Sequence, residues 1–300
     1  MSMPQHGSVP ASMQNELSLL DSITDVAETD AGKIVLSGSH GGLYPAAIAS
    51  RAKVRAVVFN DAGTGLQRAG VKGVEALAGV GMAAASVDCM SAKIGSTEDM
   101  LAAGVISYIN DRAAEAGLSI GMQVIDALVM LVDAMPPTEQ LPPVPEARWE
   151  HAGATISTEL DTDTRTRIAA STSLSILCVD SASLVKSDDA GRIIVTGSHG
   201  GLIGGDPARA LKAKAKLAVF NDAGVGKEKI GLSRLPALNA IGVAAVTVSN
   251  QSAIIGSAQS CIDTGVISFT NDLAERLGLS VGDALASALA KLQELSLIHI

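Results

Sequence analysis

Gly38-Ser39-His40-Gly41-Gly42-Leu43 and Gly197-Ser198-His199-Gly200-Gly201-Leu202 are the same six residues written twice, 159 positions apart. Phe59-Asn60-Asp61-Ala62-Gly63 returns as Phe220-Asn221-Asp222-Ala223-Gly224, now at an offset of 161. Held at 161, the stretch from Val54 to Gly121 matches its counterpart at 30 of 68 positions without a gap. The step from 159 to 161 puts two extra residues into the second copy, near Gly204-Gly205. A period of this length is a domain-sized unit, not a solenoid repeat. The chain therefore reads as a tandem duplication, with unit 1 over residues 16–134 and unit 2 over 173–294. Residues 135–172 join them and carry Pro136-Pro137, Pro142-Pro143 and Pro145. Proline fixes φ and stops helices, so this stretch is predicted to be a semi-rigid linker. Trp149 is placed to pin it onto one unit.

Within each unit short apolar runs alternate with helical patterns. Val54–Phe59 and Met82–Val87 lack polar alternation, as strands buried on both faces do. Leu43–Ala52 and its counterpart Asp206–Ala215 are predicted helices. Ser96 or Thr97 is suited to cap another, with Glu98 and Asp99 in its first turn. The expected fold is α/β: two tandem-duplicated Rossmann-like units with mostly parallel sheets, related by a pseudo-two-fold axis.

Composition bounds the function. The chain has 300 residues, 47% of them hydrophobic and 18% charged, which excludes an intrinsically disordered protein. Aromatics are 2% and the net charge is −9, so neither base stacking nor phosphate-backbone binding is expected. Nucleic acid and membrane are not expected partners, and a cytoplasmic location is the default. Cys89, Cys178 and Cys261 are too few for a disulfide framework, and no Cys/His cluster suggests a metal. Leu295–Ile300 is apolar and also matches what a common sequencing adapter would encode. It is set aside as a non-native tail, the alternative being a C-terminal strand.

Three repeated motifs fall at predicted strand ends, where open α/β sheets bind ligands. In the first, Gly41, Gly42, Gly200 and Gly201 permit tight turning and close backbone approach to an anion. Ser39 and Ser198 are candidate ligand contacts, and His40 and His199 candidate acid/base groups. The same residues also suit a plain strand-to-helix turn. In the second motif Asp61 and Asp222 are candidates to orient the histidines, with Asn60 and Asn221 as binding residues. Asx-Gly stretches make ordinary turns as well. In the third, Ser91 and Ser252 are candidate ligand contacts or nucleophiles, and Lys93 a partner for Ser91. Loop serines and surface lysines are the ordinary alternative. Cys89/Asn250, Tyr44/Ile203, Leu66/Lys227 and Lys93/Ile254 mark where the copies differ.

No GxGxxG follows a strand, no GxSxG elbow occurs, and Gly226-Lys227 lacks the rest of a phosphate-binding loop. No cofactor is expected. The expectation is a hydrolase or lyase acting on a small polar or anionic substrate between the units, with room for a homo-oligomer. The alternatives are a non-catalytic anion sensor and a purely structural protein.

Overall fold

The computed structural model describes residues 13–151 and 175–298. Unit 1 runs β1 (Leu17–Leu20), β2 (Ile34–His40), α1 (Leu43–Arg51), β3 (Ala56–Asn60), α2 (Lys72–Ala78), β4 (Ala83–Val87), α3 (Thr97–Ala103), β5 (Ile106–Ile109), α4 (Asp111–Glu115) and α5 (Val124–Leu131). The linker contributes β6 (Arg148–His151). Unit 2 follows with β7 (Ile176–Val179), β8 (Ile193–His199), β9 (Leu217–Asn221), α6 (Arg234–Ala240), β10 (Ala244–Val248), α7 (Ala258–Thr264), β11 (Ile267–Thr270), α8 (Asp272–Arg276) and α9 (Leu285–Ile298).

Among the described residues there are two mixed sheets. One has the order β1-β2-β3-β4-β5, the other β11-β10-β9-β8-β7-β6. Strands β1 to β4 are parallel and β5 returns antiparallel to β4; β7 to β11 repeat this. Every residue of β3, β4, β9 and β10 is buried, which is why these strands show no polar alternation. Helices cover both faces. On one side of the first sheet, Ile48, Val74 and Leu77 pack on Val35, Val57 and Phe59. On the other, Met100, Leu128 and Leu131 pack on Ile34, Leu36 and Val58. These are two Rossmann-like layered units. Strand order never reverses within either sheet, so neither unit has an internal switch-point crevice.

The units meet about a pseudo-two-fold axis through the loops after β3 and β9. Leu66 N–H donates to Asn250 O at 2.7 Å, and Lys227 N–H, its counterpart, donates to Cys89 O at 2.7 Å. A Cβ on Gly63 would sit 3.0 Å from Gly224 Cα, and the converse distance is the same. Ala62, Ala69, Ile94, Ala223 and Ile255 form an apolar cluster across this contact. Ala62, Gly63, Thr64 and Gly65 all have positive φ, as do Ala223, Gly224, Val225 and Gly226. Such a run is strained for the non-glycine residues, and it survives because each loop is clamped by the other.

One expectation needs correction, and the linker and tail gain detail. Asp206–Ala215 does not form the predicted helix. The two-residue insertion places Gly204 and Gly205 at φ +62° and +67°, and the chain makes only short 3₁₀ turns at Ile203–Gly205 and Pro207–Arg209. The proline-rich linker is not merely a spacer. Its end becomes β6, antiparallel to β7, with Arg148 paired to the buried carboxylate of Asp189 at 2.7 Å and Trp149 packed on the core of unit 2. Linker residues 152–172 lie outside the described residues. Leu295–Ile298 continue α9 as helix rather than strand, and residues 299–300 are outside the described residues. No helix among the described residues is long and apolar enough to cross a membrane.

Candidate functional site

Strands β2 and β8 end in the repeated Ser-His-Gly-Gly, and both ends open onto one cavity of about 390 Å³ between the units. Ser39, His40, Ser198 and His199 all line it. Each histidine is followed by a glycine pair, and the local fold shows why. Gly42 N–H donates to His40 Nδ1 at 3.2 Å, and Gly201 N–H donates to His199 Nδ1 at 3.2 Å. The ring folds back over its own chain, so a Cβ on Gly42 would lie 2.7 Å from it and one on Gly201 3.0 Å. Nδ1 is thereby the acceptor, and the proton of the neutral imidazole is on Nε2. Burial holds His40 down to about 4. Burial, then the charges of Arg234 and His40, keep His199 well below its ordinary value. At neutral pH both are uncharged donors.

Ser39 Oγ accepts Ile23 N–H at 3.0 Å and Ser198 Oγ accepts Ala182 N–H at 2.9 Å, tying the loops after β1 and β7 to the cavity wall. The other predicted residues go elsewhere. Gly41 N–H donates to Asn60 O and Gly200 N–H to Asn221 O. With Gly42 and Gly201 committed to the imidazoles, the glycine amides do not form the expected anion cradle.

The expected Asp–His pairs do not form either. Asp61 is buried, and its carboxylate accepts the Ser107 hydroxyl at 2.8 Å and the N–H groups of Gly63 and Cys89 at 2.8 and 3.0 Å. Asp222 accepts Gly224 N–H at 3.0 Å and Asn250 N–H at 2.9 Å. Asn60 and Asn221 are fully buried Asx turns, each tied to a backbone carbonyl, of Ala92 and Ala253 respectively. The Phe-Asn-Asp-Ala-Gly repeat thus builds the clamp between the units, and that is reason enough for both copies to carry it.

Ser91 and Ser252 are spent too. Each donates to a carbonyl (Asp88, Ser249) and accepts a backbone N–H (Val105, Val266). Lys93 does not reach Ser91 but bridges to Glu228 of unit 2 at 2.6 Å. Asp61, Asp88 and Cys89 bring three donor atoms within 4.8 Å of one another. Burial pushes the Asp61 carboxyl up, and burial with the Asp61 charge pushes the Cys89 thiol up to about 12. The hydrogen bonds above account for this cluster as part of the clamp.

Further polar residues of the cavity lie outside the repeated motifs. Arg234 is 3% exposed. Its Nε donates to Gly201 O at 3.0 Å, another donor goes to Ala210 O, and the guanidinium lies 5.0 Å over the Phe220 ring. Among the described residues it forms no ion pair with a carboxylate. Burial pulls it down to about 10, still charged at neutral pH. Across the cavity stand Tyr44 and Glu146. Burial pushes the Glu146 carboxyl up, opposed by the hydroxyls of Tyr44 and Ser181. Burial and Glu146 raise Tyr44 to about 12.

Two of these had a signal in the sequence. Arg234 stands where unit 1 has Gly73, and Tyr44 where unit 2 has Ile203. Glu146 lies in the linker and has no counterpart to compare. No family model matches the chain, and neither do curated proteins or solved structures.

Proposed function

We propose that this chain is an enzyme of the hydrolase or lyase type that acts on a small anionic molecule in the cavity between its units. The observation that carries the reading is the convergence of two neutral imidazoles and one buried, carboxylate-free guanidinium on a single space. A buried charge without a counter-ion costs several kcal/mol. A bound anion offsets that cost, and the imidazole Nε2–H groups add donors that need no proton to be taken up first. Arg234 is the anchor, His40 and His199 the flanking donors. Glu146 replaces the histidines as the proton carrier, because its raised pKa brings proton exchange closer to neutral pH while theirs move away from it.

The test has two stages. Calorimetric titration with acetate and with inorganic phosphate should show binding that Arg234→Met weakens about 100-fold, the size of a lost buried charge-assisted contact. Binding indifferent to Arg234→Met rejects the site. Turnover is then assayed on a panel of small carboxylates and phosphate esters, with Glu146→Gln and the His40→Ala/His199→Ala pair as controls. Full turnover by Glu146→Gln removes the role given to Glu146.

A second reading has its own observation. Neither imidazole is backed by a carboxylate, and both Nδ1 atoms are held by glycine amides. That geometry serves a non-catalytic anion sensor equally well. A ligand recovered chemically unchanged after long incubation with the protein favours it.

A further inference from the structure

We infer that the molecule bound here carries a linear aliphatic extension behind its anionic head, and that the extension occupies a second chamber beyond Tyr44 and Glu146. This deepens the anion-site reading above and rests on it. The second chamber has a volume of about 300 Å³. It shares His40, Tyr44, Glu146, Asp180 and Gly256 with the first as a common wall. The two linings differ in kind. The first offers imidazoles, hydroxyls and, beyond the shared wall, the charged side chains of Asp25, Arg209, Lys212 and Arg234. The second adds Leu43, Ala69, Val144, Pro145, Ile254 and Ile255, with Gln67 and Lys72 its polar members outside the shared wall.

The two sides of the pseudo-two-fold differ in side-chain chemistry at this place. The counterparts of Ile254 and Gln67 are Lys93 and Glu228, which form a 2.6 Å ion pair. The counterpart of Gly256 is Gly95, whose carbonyl accepts Gly204 N–H at 2.8 Å. An inserted glycine therefore packs on Gly95, where a Cβ would meet Leu202 O at 2.7 Å, while a Cβ on Gly256 would make ordinary contact with His40 at 3.5 Å. Val144 and Pro145, from the linker, complete the chamber. An isoleucine–glutamine pair in place of a lysine–glutamate bridge spares an apolar ligand segment the desolvation of that bridge, and the charged members of the lining are Lys72, Glu146 and Asp180.

The same layout divides the two histidines. His199 lines the head chamber, which it shares with Arg234, whereas His40 lines both chambers and stands at their junction. The bond next to the head group lies at His40, Tyr44 and Glu146.

The test is a chain-length series on the full-length protein: acetate, butanoate, hexanoate and octanoate, each titrated calorimetrically below its micellar concentration. Affinity should rise by about threefold to fourfold per methylene until the chamber is full. Leu43→Trp, at a position 41% exposed, narrows the chamber. Ile254→Lys installs the residue of the opposite side. Both variants, checked for folding by thermal unfolding, should flatten the series so that octanoate binds no better than acetate. Acetate binding that depends on Arg234 but gains nothing with chain length overturns this inference and leaves the anion site standing. So does a chain-length gain that survives both variants. No Arg234-dependent binding of any member overturns both.

Discussion

Gly73 and Arg234 occupy the same place in the two units, and nearly everything that distinguishes the units follows from them. Both donate the same backbone bond, Gly73 N–H to Gly41 O and Arg234 N–H to Gly200 O, each at 2.9 Å. In unit 1, α1 lies directly on α2. A Cβ on Gly73 would fall 2.1 Å from Gly42 O and 2.7 Å from Ala46 Cβ, so only glycine permits the contact. In unit 2 the helix is gone. The guanidinium of Arg234 takes the carbonyls of Gly201 and Ala210 that the missing packing leaves open, and it lines the cavity. Duplication let one copy keep a packed helix pair while the other leaves that space to the cavity. Arg234 and Tyr44 line the cavity where the copies differ; of what the copies share, the Ser-His pairs line it and the Phe-Asn-Asp-Ala-Gly loops hold the frame.

The strongest way to break this comparison is Gly73→Arg. No rearrangement of the side chain relieves a clash between its Cβ and the Gly42 carbonyl, so either α1 leaves α2 or unit 1 unfolds. The expected cost exceeds about 4 kcal/mol, in the range reserved for backbone clashes and overpacked cores. Chemical denaturation measures it, and near-wild-type stability would mean α1 does not depend on that glycine. The reciprocal change, Arg234→Met, has a different profile. Replacing this buried charge by an apolar residue of similar length removes its desolvation cost but also takes the donors from the Gly201 and Ala210 carbonyls, so stability should change by no more than about 3 kcal/mol. Anion affinity should fall at the same time, about 100-fold. A variant that loses stability and keeps affinity makes Arg234 a structural prop.

A smaller effect separates the histidines from the rest of the frame. Both are held below the ordinary value, His40 at about 4. Below pH 6.5 the unfolded chain takes up protons that the folded chain refuses, so stability is full above that pH and declines as pH falls toward 4. The slope is about 1.4 kcal/mol per pH unit for each histidine inside its window. Glu146 acts with the opposite sign. Its raised value means the folded chain holds a proton the unfolded chain has lost, so its share declines as pH rises above 4.5. The difference between wild type and His40→Gln, followed by denaturation between pH 4.5 and 7, isolates the histidine. Parallel curves would mean His40 titrates like an exposed imidazole.

The duplication and the parallel apolar strands were legible in the sequence, because each is a local pattern or a repeat of one; repetition singled out the two histidines without saying whether they share one pocket. Helix α1 was legible too. Its lost counterpart was not, since Asp206–Ala215 still carries alanines at helical spacing and only Gly204 and Gly205 betray the break. The site was half legible. Repetition pointed equally to His40 and to Asp61, yet one faces the cavity and the other is locked to Ser107, Gly63 and Cys89. Repetition marks whatever both copies need, and a symmetric interface needs its residues twice. Arg234 was harder to see for the converse reason: it appears once, at the start of a helix, and its only signal is the glycine opposite it in unit 1. Glu146 reaches the cavity only because β6 joins the second sheet, a long-range pairing that no local pattern announces.

The smallest effect tests whether the interface shares this asymmetry. Two lysines cross between the units. Lys227 meets both oxygens of Asp99 at 3.0 Å, with the side chains 24% and 21% exposed. Lys93 meets Glu228 at 2.6 Å, but Glu228 is 66% exposed. Water screens the second pair and gives its glutamate freedom to leave, so the shorter distance does not make it the stronger contact. Lys227→Met should cost about 0.5–1 kcal/mol and Lys93→Met less than that. Double-mutant cycles with Asp99→Asn and Glu228→Gln read each coupling directly, and added salt should shrink both. A larger coupling for Lys93 than for Lys227 would show that distance outweighs screening here, and that the two sides of the clamp are not ranked by burial.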